Sequence, residues 1–352
     1  MPTPFRIWVL SDGVPGHVNQ AQGLVRRIAT LRDIDCTEHF IPLRMRVLRP
    51  TLRWGWNRRK SWAAALTQRA YGRLPVVERA PDLIVSAGGN TSFANAMLSQ
   101  RLGCNNFYMG SLRGLDASLF SGVFSLQPLL DNRGERLANN VVMPILPPNS
   151  DVAESRSEAQ QLRQQYPNKI LCAVLLGGNG SGYRFSSEDW QGLGAALNTL
   201  SERHNVLWLL TTSRRTGVKA EQLLQGALDA DSLAEPIWYG QHARNRNAVF
   251  LQAADCVLCG EDSMSMLHEA LAVHDQIAAL APRHVKAPLR YVEKINQLIA
   301  KGYVQRCSIA ELDSFDIAGF IRGRSAASTD WANILDSELE VLLGSMAGPQ
   351  VR

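Results

Sequence analysis

The chain has 352 residues, of which 45% are hydrophobic and 20% are charged, and its formal net charge is +5 at pH 7. This length favours two domains over a single core, and the composition is that of a globular protein, which excludes wholesale disorder. No apolar stretch approaches the roughly 18–20 residues of a membrane span, and residues 5–10 are too short for the apolar core of a signal peptide. We therefore expect a cytoplasmic protein.

The chain opens with a short apolar strand at residues 6–10, a loop rich in turn residues, and a helical pattern. This order begins a parallel α/β unit, and open α/β sheets bind their ligands at the loops that follow strands. Asp12 and His17 in this loop are candidates for acid–base chemistry, and a surface histidine without a role is the alternative. The loop lacks the glycine and lysine spacing of phosphate-loop NTPases and of dinucleotide-binding oxidoreductases.

A basic segment follows between Arg44 and Arg79, where ten basic residues stand against one acidic residue. Four aromatic residues are interleaved with the cations: Trp54, Trp56, Trp62 and Tyr71. Nucleic acid, an anionic membrane or an acidic substrate could each use such a patch, and arginine mixed with tryptophan favours the headgroup region of a membrane. The alternative is a solvated basic helix whose tryptophans face the core. We expect peripheral contact with an anionic membrane through residues 44–79.

The strand, loop and helix scheme recurs at residues 81–92, where an apolar run ends in Gly88 and Gly89 and a helix begins near Thr91. Glycines at this position allow close backbone approach or a positive φ. Strand-like segments follow at 106–109 and 122–126, and residues 144–150 have the composition of a linker. We predict an N-terminal Rossmann-like domain over residues 1–148.

The second half starts again with a strand at residues 170–176 and a glycine loop at 177–182. Ser186 or Ser187, with Asp189 behind it, resembles the capping box of the next helix. The strand at 205–210 ends in a run of hydroxyl residues and two arginines, which includes Thr212, Ser213, Arg214 and Arg215. Guanidinium groups bind phosphate in a bidentate manner, so this run is a plausible anion clamp, with an exposed basic turn as the alternative.

A third loop follows the apolar run at residues 256–260. Asp262 or Ser263 is a natural N-cap of the next helix, whose first-turn N–H groups and dipole suit a phosphate. Ser263 and Ser265 add hydroxyls there, and Glu269 lies deeper in the helix, where a carboxylate could bind both hydroxyls of a ribose. The three loops together are moderately specific for a nucleotide or anion pocket, and an ordinary capped helix with an exposed glutamate is the alternative.

Two further patterns are interpreted as structural. Cys256 and Cys259 form a CxxC pair inside an apolar run, but no second pair stands at zinc spacing, so we expect core residues. Asp229 and Asp231 have the form of a metal-binding DxD, but helix-like sequence flanks them, and we expect no metal and no other cofactor. We predict a C-terminal Rossmann-like domain over 149–315 and a helical segment over 316–352 that could pack back on the N-terminal domain.

These blocks resemble the bacterial members of the family named after the plant mitochondrial-fission protein Elm. The resemblance extends from residue 6 to roughly residue 305, and its specific parts are the Thr-Thr-Ser-Arg-Arg-Thr run at 211–216 and the segment 261–270. It implies an α/β fold of the GT-B type, with two Rossmann-like domains whose parallel sheets face a central cleft. The chain departs from the family pattern at Gly217, where proline is usual, and at 273–277, where Gly-x-Pro is usual.

The bacterial members are associated with envelope polysaccharide or lipopolysaccharide core assembly. The resemblance therefore implies a metal-independent glycosyltransferase with a nucleotide-sugar donor and a glycolipid or oligosaccharide acceptor. The expected donor-site residues are Gly16, Gly177, Gly178, Thr212, Ser213, Arg214, Arg215, Asp262, Ser263, Ser265 and Glu269, with His17 or Asp12 as the base if the reaction inverts the anomeric centre. A non-catalytic scaffold and a nucleotide-sugar epimerase are the alternatives. A nucleic-acid partner is not expected, because it would leave the three loops without a role.

Overall fold

A computed structural model describes residues 3–77, 79–149, 152–323 and 331–346. The chain divides into two compact units, one formed by Met1–Asn149 with Trp331–Arg352 and the other by Ser150–Asp330. Each unit contains a six-stranded sheet whose strands are all parallel. Within the described ranges, no helix combines the length and the apolar character needed to cross a membrane.

The first unit has the strand order β2-β1-β3-β4-β5-β6. Its described elements are, in chain order, β1 (Phe5–Ser11), α1 (Pro15–Ala29), β2 (Ile34–Phe40), α2 (Arg49–Asn57), α3 (Trp62–Tyr71), β3 (Leu83–Ala87), α4 (Ser92–Leu102), β4 (Asn105–Met109), β5 (Gly122–Ser125) and β6 (Asn140–Val142). Helices cover both faces of a parallel sheet, so the sequences of the central strands are continuous apolar runs. The buried parts of β1 and β3 follow this rule.

The second unit has the strand order β10-β9-β7-β11-β12-β14. The described elements continue with α5 (Val152–Gln164), β7 (Ile170–Leu176), β8 (Tyr183–Arg184), α6 (Ser187–His204), β9 (Val206–Thr212), α7 (Val218–Ala227), β10 (Leu233–Ile237), α8 (Asn247–Ala253), β11 (Cys256–Gly260), α9 (Met264–Leu271), β12 (Ile277–Ala281), β13 (His284–Val285), α10 (Leu289–Ala300), β14 (Gln305–Ser308), α11 (Ile317–Arg322) and α12 (Trp331–Met346). Numbered by appearance within this unit, the six parallel strands have the 3-2-1-4-5-6 order of the Rossmann fold.

The two faces of the first sheet are covered by different helices. Ile7 and Val9 of β1 pack with α1 and α12 in one apolar cluster. Trp8 and Leu10, which alternate with them, pack with α2, α3 and α4 in another. The helix after β1 and the helix after β3 therefore lie on opposite faces of the sheet.

The last two helices belong to different units, which differs from the single segment expected over 316–352. Ile317 of α11 is buried in the core of the second unit. Leu335, Leu339 and Leu343 of α12 are buried in the core of the first unit, and Asp336 forms an ion pair with Arg27 of α1. Residues 324–330 and 347–352 of the expected segment lie outside the described residues.

Several local expectations are confirmed. Ser186 and Asp189 form the reciprocal capping box at the start of α6, with the Asp189 N–H donating to the Ser186 hydroxyl at 3.1 Å. Cys256 and Cys259 are fully buried in β11. At the end of the linker-like segment, the Asn149 side-chain amide donates to Gln22 of α1 at 2.7 Å, and this bond holds Asn149 on that helix.

The packing of α12 gives a stability prediction. Leu339→Ala removes a fully buried side chain from the core of the first unit, so it should lower the free energy of unfolding by about 2–5 kcal/mol. Denaturant unfolding monitored by circular dichroism measures the change. Val341→Ala on the same helix is the matched control, because Val341 is 72% exposed. Equal stabilities of the two variants would contradict the placement of α12 in this core.

Candidate functional site

In the first unit, candidate residues gather where the strand order reverses. β1 lies between β2 and β3, and the helices that follow β1 and β3 pack on opposite faces. Such a reversal leaves a crevice outside the carboxyl ends of the two strands, where open α/β sheets bind ligands. The loop after β1 carries Asp12, and α1 begins with His17 in its first turn.

Asp12 and His17 form a hydrogen-bonded pair in this crevice. The His17 Nδ1 lies 3.0 Å from Asp12 Oδ2, and the side chains are 29% and 2% exposed, respectively. Burial acts to raise the pKa of Asp12, but hydrogen bonds from Asn90, the Val14 N–H and His17 hold it below its usual range. A carboxylate bonded to Nδ1 orients the imidazole and leaves Nε2 as the nitrogen that can take a proton.

Asn90 is the residue of this site that the sequence analysis did not identify. Its amide donates to Asp12 Oδ2 at 2.8 Å, its side-chain oxygen accepts from Arg49, and its carbonyl accepts from the Tyr71 hydroxyl. The signal was present, because Asn90 directly follows the two glycines at the end of β3. Gly88 has a φ of +82°, and a Cβ at this position would collide with the His17 ring.

In the second unit, three loops come together at the ends of β7, β9 and β11. The Arg215 guanidinium forms an ion pair with the Asp262 carboxylate at 2.8 Å. The glycine loop after β7 lies against this pair, since a Cβ on Gly177 would collide with Asp262 and a Cβ on Gly178 with the Arg215 backbone. The reversal of strand order in this sheet also falls here, between β7 and β11.

Two hydroxyl groups hold the first and second loops together. Ser213 donates to the carbonyl of Gly177, and Thr216 Oγ1 lies 3.2 Å from the same carbonyl. Ser213 also accepts the Arg215 N–H at 3.1 Å. Ser213 is thus part of the loop scaffold that positions Arg215.

The Asp262 carboxyl is in an unfavourable place for a charge. Its side chain is completely buried, and this burial raises its pKa to about 6, although Arg215 acts in the opposite direction. The folded-state pKa lies above the usual value of 3.8, so the protonated carboxyl contributes to the free energy of unfolding. This contribution is fully present below about pH 4 and is lost as the pH rises through about 6.

The start of α9 differs from the expected cap. Ser263 occupies the N-cap position, but its hydroxyl does not accept a hydrogen bond from the first turn. The hydroxyls of Ser263 and Ser265 lie 3.4 Å apart. An uncapped helix start next to hydroxyl groups retains N–H groups that an anion can bind.

Four other expected donor-site residues have different surroundings. The Thr212 hydroxyl bonds to Glu221 at 2.6 Å and to the Tyr239 N–H at 2.8 Å, because alternation along β9 turns its side chain away from Ser213. Arg214 is exposed. Glu269 is half-buried and accepts from Asn247 at 3.0 Å, and burial raises its pKa. Gly16 belongs to the first unit, in the first turn of α1.

Glu261 is a second residue that the sequence analysis did not assign. Its buried carboxylate accepts from the Tyr183 hydroxyl at 2.9 Å and pairs with Arg306, and its carbonyl accepts from the Tyr291 hydroxyl at 2.8 Å. These partners come from β8, β14 and α10. Because Glu261 directly precedes Asp262, this network fixes the loop that presents Asp262 and Ser263.

The two departures from the family pattern have local explanations. Gly217 has a φ of +79°, which proline cannot adopt. His274 closes the turn before β12 by bonding to the Ala254 carbonyl at 2.9 Å and accepting the Gln276 N–H at 3.2 Å. This turn lies at the amino end of β12, whereas the three loops lie at the carboxyl ends of their strands.

The basic segment is divided between core and surface. Trp56 and Tyr71, two of the four interleaved aromatic residues, are buried in the core of the first unit, so for them the alternative interpretation was right. Trp54 and Trp62 are 53% and 38% exposed. Asp229 and Asp231 are exposed, and the described residues contain no group of three or more acidic, histidine or cysteine side chains that could hold a metal ion.

Comparisons with known proteins agree with this fold. The chain matches one family model, described as Mitochondrial fission ELM1, over residues 15–328. No curated protein matches it. Similar solved structures include a Listeria monocytogenes protein assigned as a UDP-N-acetylglucosamine 2-epimerase (10% identity, 100% of each chain, TM-score 0.52). They also include S. aureus MnaA bound to UDP (11% identity, 97% of each chain, TM-score 0.51) and the calicheamicin glycosyltransferase CalG4 (13% identity, 99% of this chain and 100% of that one, TM-score 0.50).

At these identities the likeness concerns the fold. Together with the two parallel sheets, it confirms the predicted α/β fold of the GT-B type with two Rossmann-like units. The family match confirms the resemblance found in the sequence.

The raised pKa of Asp262 gives a pH-dependent prediction. Asp262→Asn carries no charge at any pH, so its free energy of unfolding relative to wild type should increase between about pH 4 and pH 6, by on the order of 2–3 kcal/mol. Denaturant unfolding across this range measures the difference. Asp229→Asn, at an exposed position, should show no such trend. A constant difference between Asp262→Asn and wild type would contradict the raised pKa.

Proposed function

The chain belongs to the Mitochondrial fission ELM1 family, and on this premise we propose that it is a glycosyltransferase. It moves a sugar from a nucleoside diphosphate donor to an envelope glycolipid, lipopolysaccharide core or polysaccharide. The observation that carries the proposal is the convergence of three loops beside the uncapped start of α9. The likeness of the fold to CalG4, a calicheamicin glycosyltransferase, supports it.

The second unit holds the donor in this proposal. The first-turn N–H groups of α9 and the hydroxyls of Ser263 and Ser265 bind the diphosphate, and the loop at Gly177 and Gly178 approaches it closely. Asp262 holds the Arg215 guanidinium beside these loops before the donor binds. Glu269 lies four residues after Ser265, on the same face of α9, which suits a carboxylate that binds the ribose hydroxyls.

The first unit supplies the base. His17 Nε2 takes the proton of the acceptor hydroxyl while Asp12 stabilises the imidazolium that forms. The acceptor oxygen forms a bond to the anomeric carbon, and the bond from that carbon to the diphosphate oxygen breaks with its electron pair on the leaving group. The dipole of α9 and the cations Arg214 and Arg215 stabilise the diphosphate charge, so the proposed reaction uses no metal. Because the acceptor oxygen attacks the anomeric carbon directly as the diphosphate leaves, the proposed reaction inverts the anomeric centre.

The acceptor determines where the protein works. A glycolipid acceptor is presented at a membrane surface, so we place the chain in the cytoplasm, in peripheral contact with the inner face of the membrane through residues 44–79. The exposed cations of that segment, which include Arg58, Lys60 and Arg69, support contact with anionic lipids. Nucleic acid is not a partner in this proposal.

The donor site predicts nucleotide binding. One member of a panel of UDP, GDP, CDP, ADP and their sugars should raise the melting temperature of wild type by several degrees, since a ligand at a hundred times its Kd adds about 2.7 kcal/mol. Glu269→Ala should abolish or strongly reduce this shift, whereas Glu188→Ala, at an exposed position of α6, should retain it.

The same panel separates the alternatives. A nucleotide sugar converted without any acceptor would indicate an epimerase instead. The absence of a shift with every member would overturn the donor site and favour a non-catalytic scaffold.

The base assignment predicts a separation of turnover from binding. His17→Ala should lower the release of nucleoside diphosphate, measured with the stabilising sugar nucleotide and an envelope membrane fraction, by about 10²–10⁴-fold. The thermal shift with that nucleotide should remain, because His17 and the donor loops lie in different units. His242→Ala, at an exposed position, is the control. Loss of nucleotide binding in His17→Ala would refute the assignment.

A further inference from the structure

The α2 and α3 helices present an unusual exposed face, here called the hairpin face. Leu52 and Trp56 of α2, and Ala63, Thr67, Ala70 and Tyr71 of α3, are buried, so the two helices are firmly attached to the first unit. Trp62, Ala65 and Arg69 recur at helical spacing on the opposite side of α3 and are all exposed. Trp54, Arg58 and Lys60 complete the hairpin face at the end of α2.

Two tryptophans stand at the centre of this face. The indole rings of Trp54 and Trp62 stack with their centroids 5.9 Å apart. Gly55 has no Cβ, and a Cβ there would lie 2.7 Å from the Trp62 ring, so the glycine allows the indole to lie directly on α2. The Lys60 ammonium lies 5.7 Å from the Trp54 ring centroid. The face therefore combines a stacked apolar centre with adjacent positive charge.

The cations of the hairpin have two separate roles. Arg53 donates to the Arg113 carbonyl at 2.9 Å, and Arg59 lies 3.7 Å from the Asp116 carboxylate, so both attach the hairpin to the neighbouring loop. Arg58, Lys60 and Arg69 are exposed, and Lys60 lies over the Trp54 indole. A helix pair that only faced water would not need two exposed, stacked tryptophans beside these cations, so solvent exposure alone does not explain this face.

We propose that the hairpin face docks on an anionic lipid bilayer, with Trp54 and Trp62 at the headgroup level and Arg58, Lys60 and Arg69 on the lipid phosphates. Indole rings favour the boundary between headgroups and acyl chains, and cations at this depth are attracted to anionic lipid. The inference deepens the membrane contact of the proposed function by assigning it to one pair of helices. It does not depend on a transferase reaction.

Vesicle binding tests the proposal directly. Full-length wild type, without nucleotide, should co-sediment with vesicles of phosphatidylcholine and phosphatidylglycerol, and only weakly with phosphatidylcholine alone. Arg58→Ala with Lys60→Ala should lower the affinity by about fivefold for each cation removed. Trp54→Ala with Trp62→Ala should lower it by roughly tenfold or more. Raising the salt to about 1 M should weaken binding of wild type, because the screening length falls to about 3 Å.

Controls separate docking from folding and from catalysis. Arg184→Ala with Tyr239→Ala removes an exposed cation and an exposed aromatic residue of the second unit and should leave vesicle binding unchanged. The Arg58 and Lys60 variant touches no core residue, so it remains informative if the tryptophan variant unfolds. Nucleotide-induced thermal shifts, measured without lipid, should be the same in all these variants.

Three outcomes would overturn the proposal. Wild type could fail to bind phosphatidylglycerol vesicles at low salt, or the hairpin variants could bind as tightly as the control variant. Tighter binding to double-stranded DNA than to the vesicles, lost in the Arg58 and Lys60 variant, would assign the face to nucleic acid. None of these outcomes would affect the nucleotide panel, so failure of the docking surface is distinguishable from failure of the transferase proposal.

Discussion

Both units depend on one topological constraint. Where the strand order of a parallel sheet reverses, the chain leaves two neighbouring strands toward opposite faces, and a crevice remains between the two loops. The reversal lies between β1 and β3 in the first unit and between β7 and β11 in the second. Asp12 and Asn90 come from the first pair of loops, and Gly177 and Asp262 from the second. The sheets thereby bring together residues that are 78 and 85 positions apart in the sequence.

The two buried aspartates show how the surroundings of a carboxyl set its charge. Asp12 receives hydrogen bonds from an amide side chain, a backbone N–H and an imidazole, and these donors hold its pKa low despite burial. Asp262 is more deeply buried with Arg215 as its charged partner, and desolvation dominates, so its pKa is raised. A carboxylate that stays charged suits the orientation of a base.

The sequence predicted the strands and loops that carry the candidate residues, but it did not predict β2, β10 or the side-chain partners. Apolar runs that end in glycine or hydroxyl residues located β1, β3, β7 and β11. A parallel strand that is buried on both faces is apolar along most of its length, so such a run is easily recognised. Whether the Thr212 side chain points toward Ser213 or away from it depends on a single step of strand alternation. Whether Trp54 or Trp56 is buried depends on which face of α2 is covered by α3. The partners of Glu261 come from three distant elements, and no local pattern contains them.

The return of α12 to the first unit affects the order in which the protein can be assembled during synthesis. The apolar cluster on one face of β1 includes Leu335, Leu339 and Leu343, so the first unit cannot complete this core until the last described helix has left the ribosome. The second unit is continuous in sequence and carries its own core. Although domains generally fold from the N-terminus during translation, here the later unit can reach its native packing first. Until then α1 alone covers this face of β1, and the part that α12 covers stays exposed in the nascent first unit.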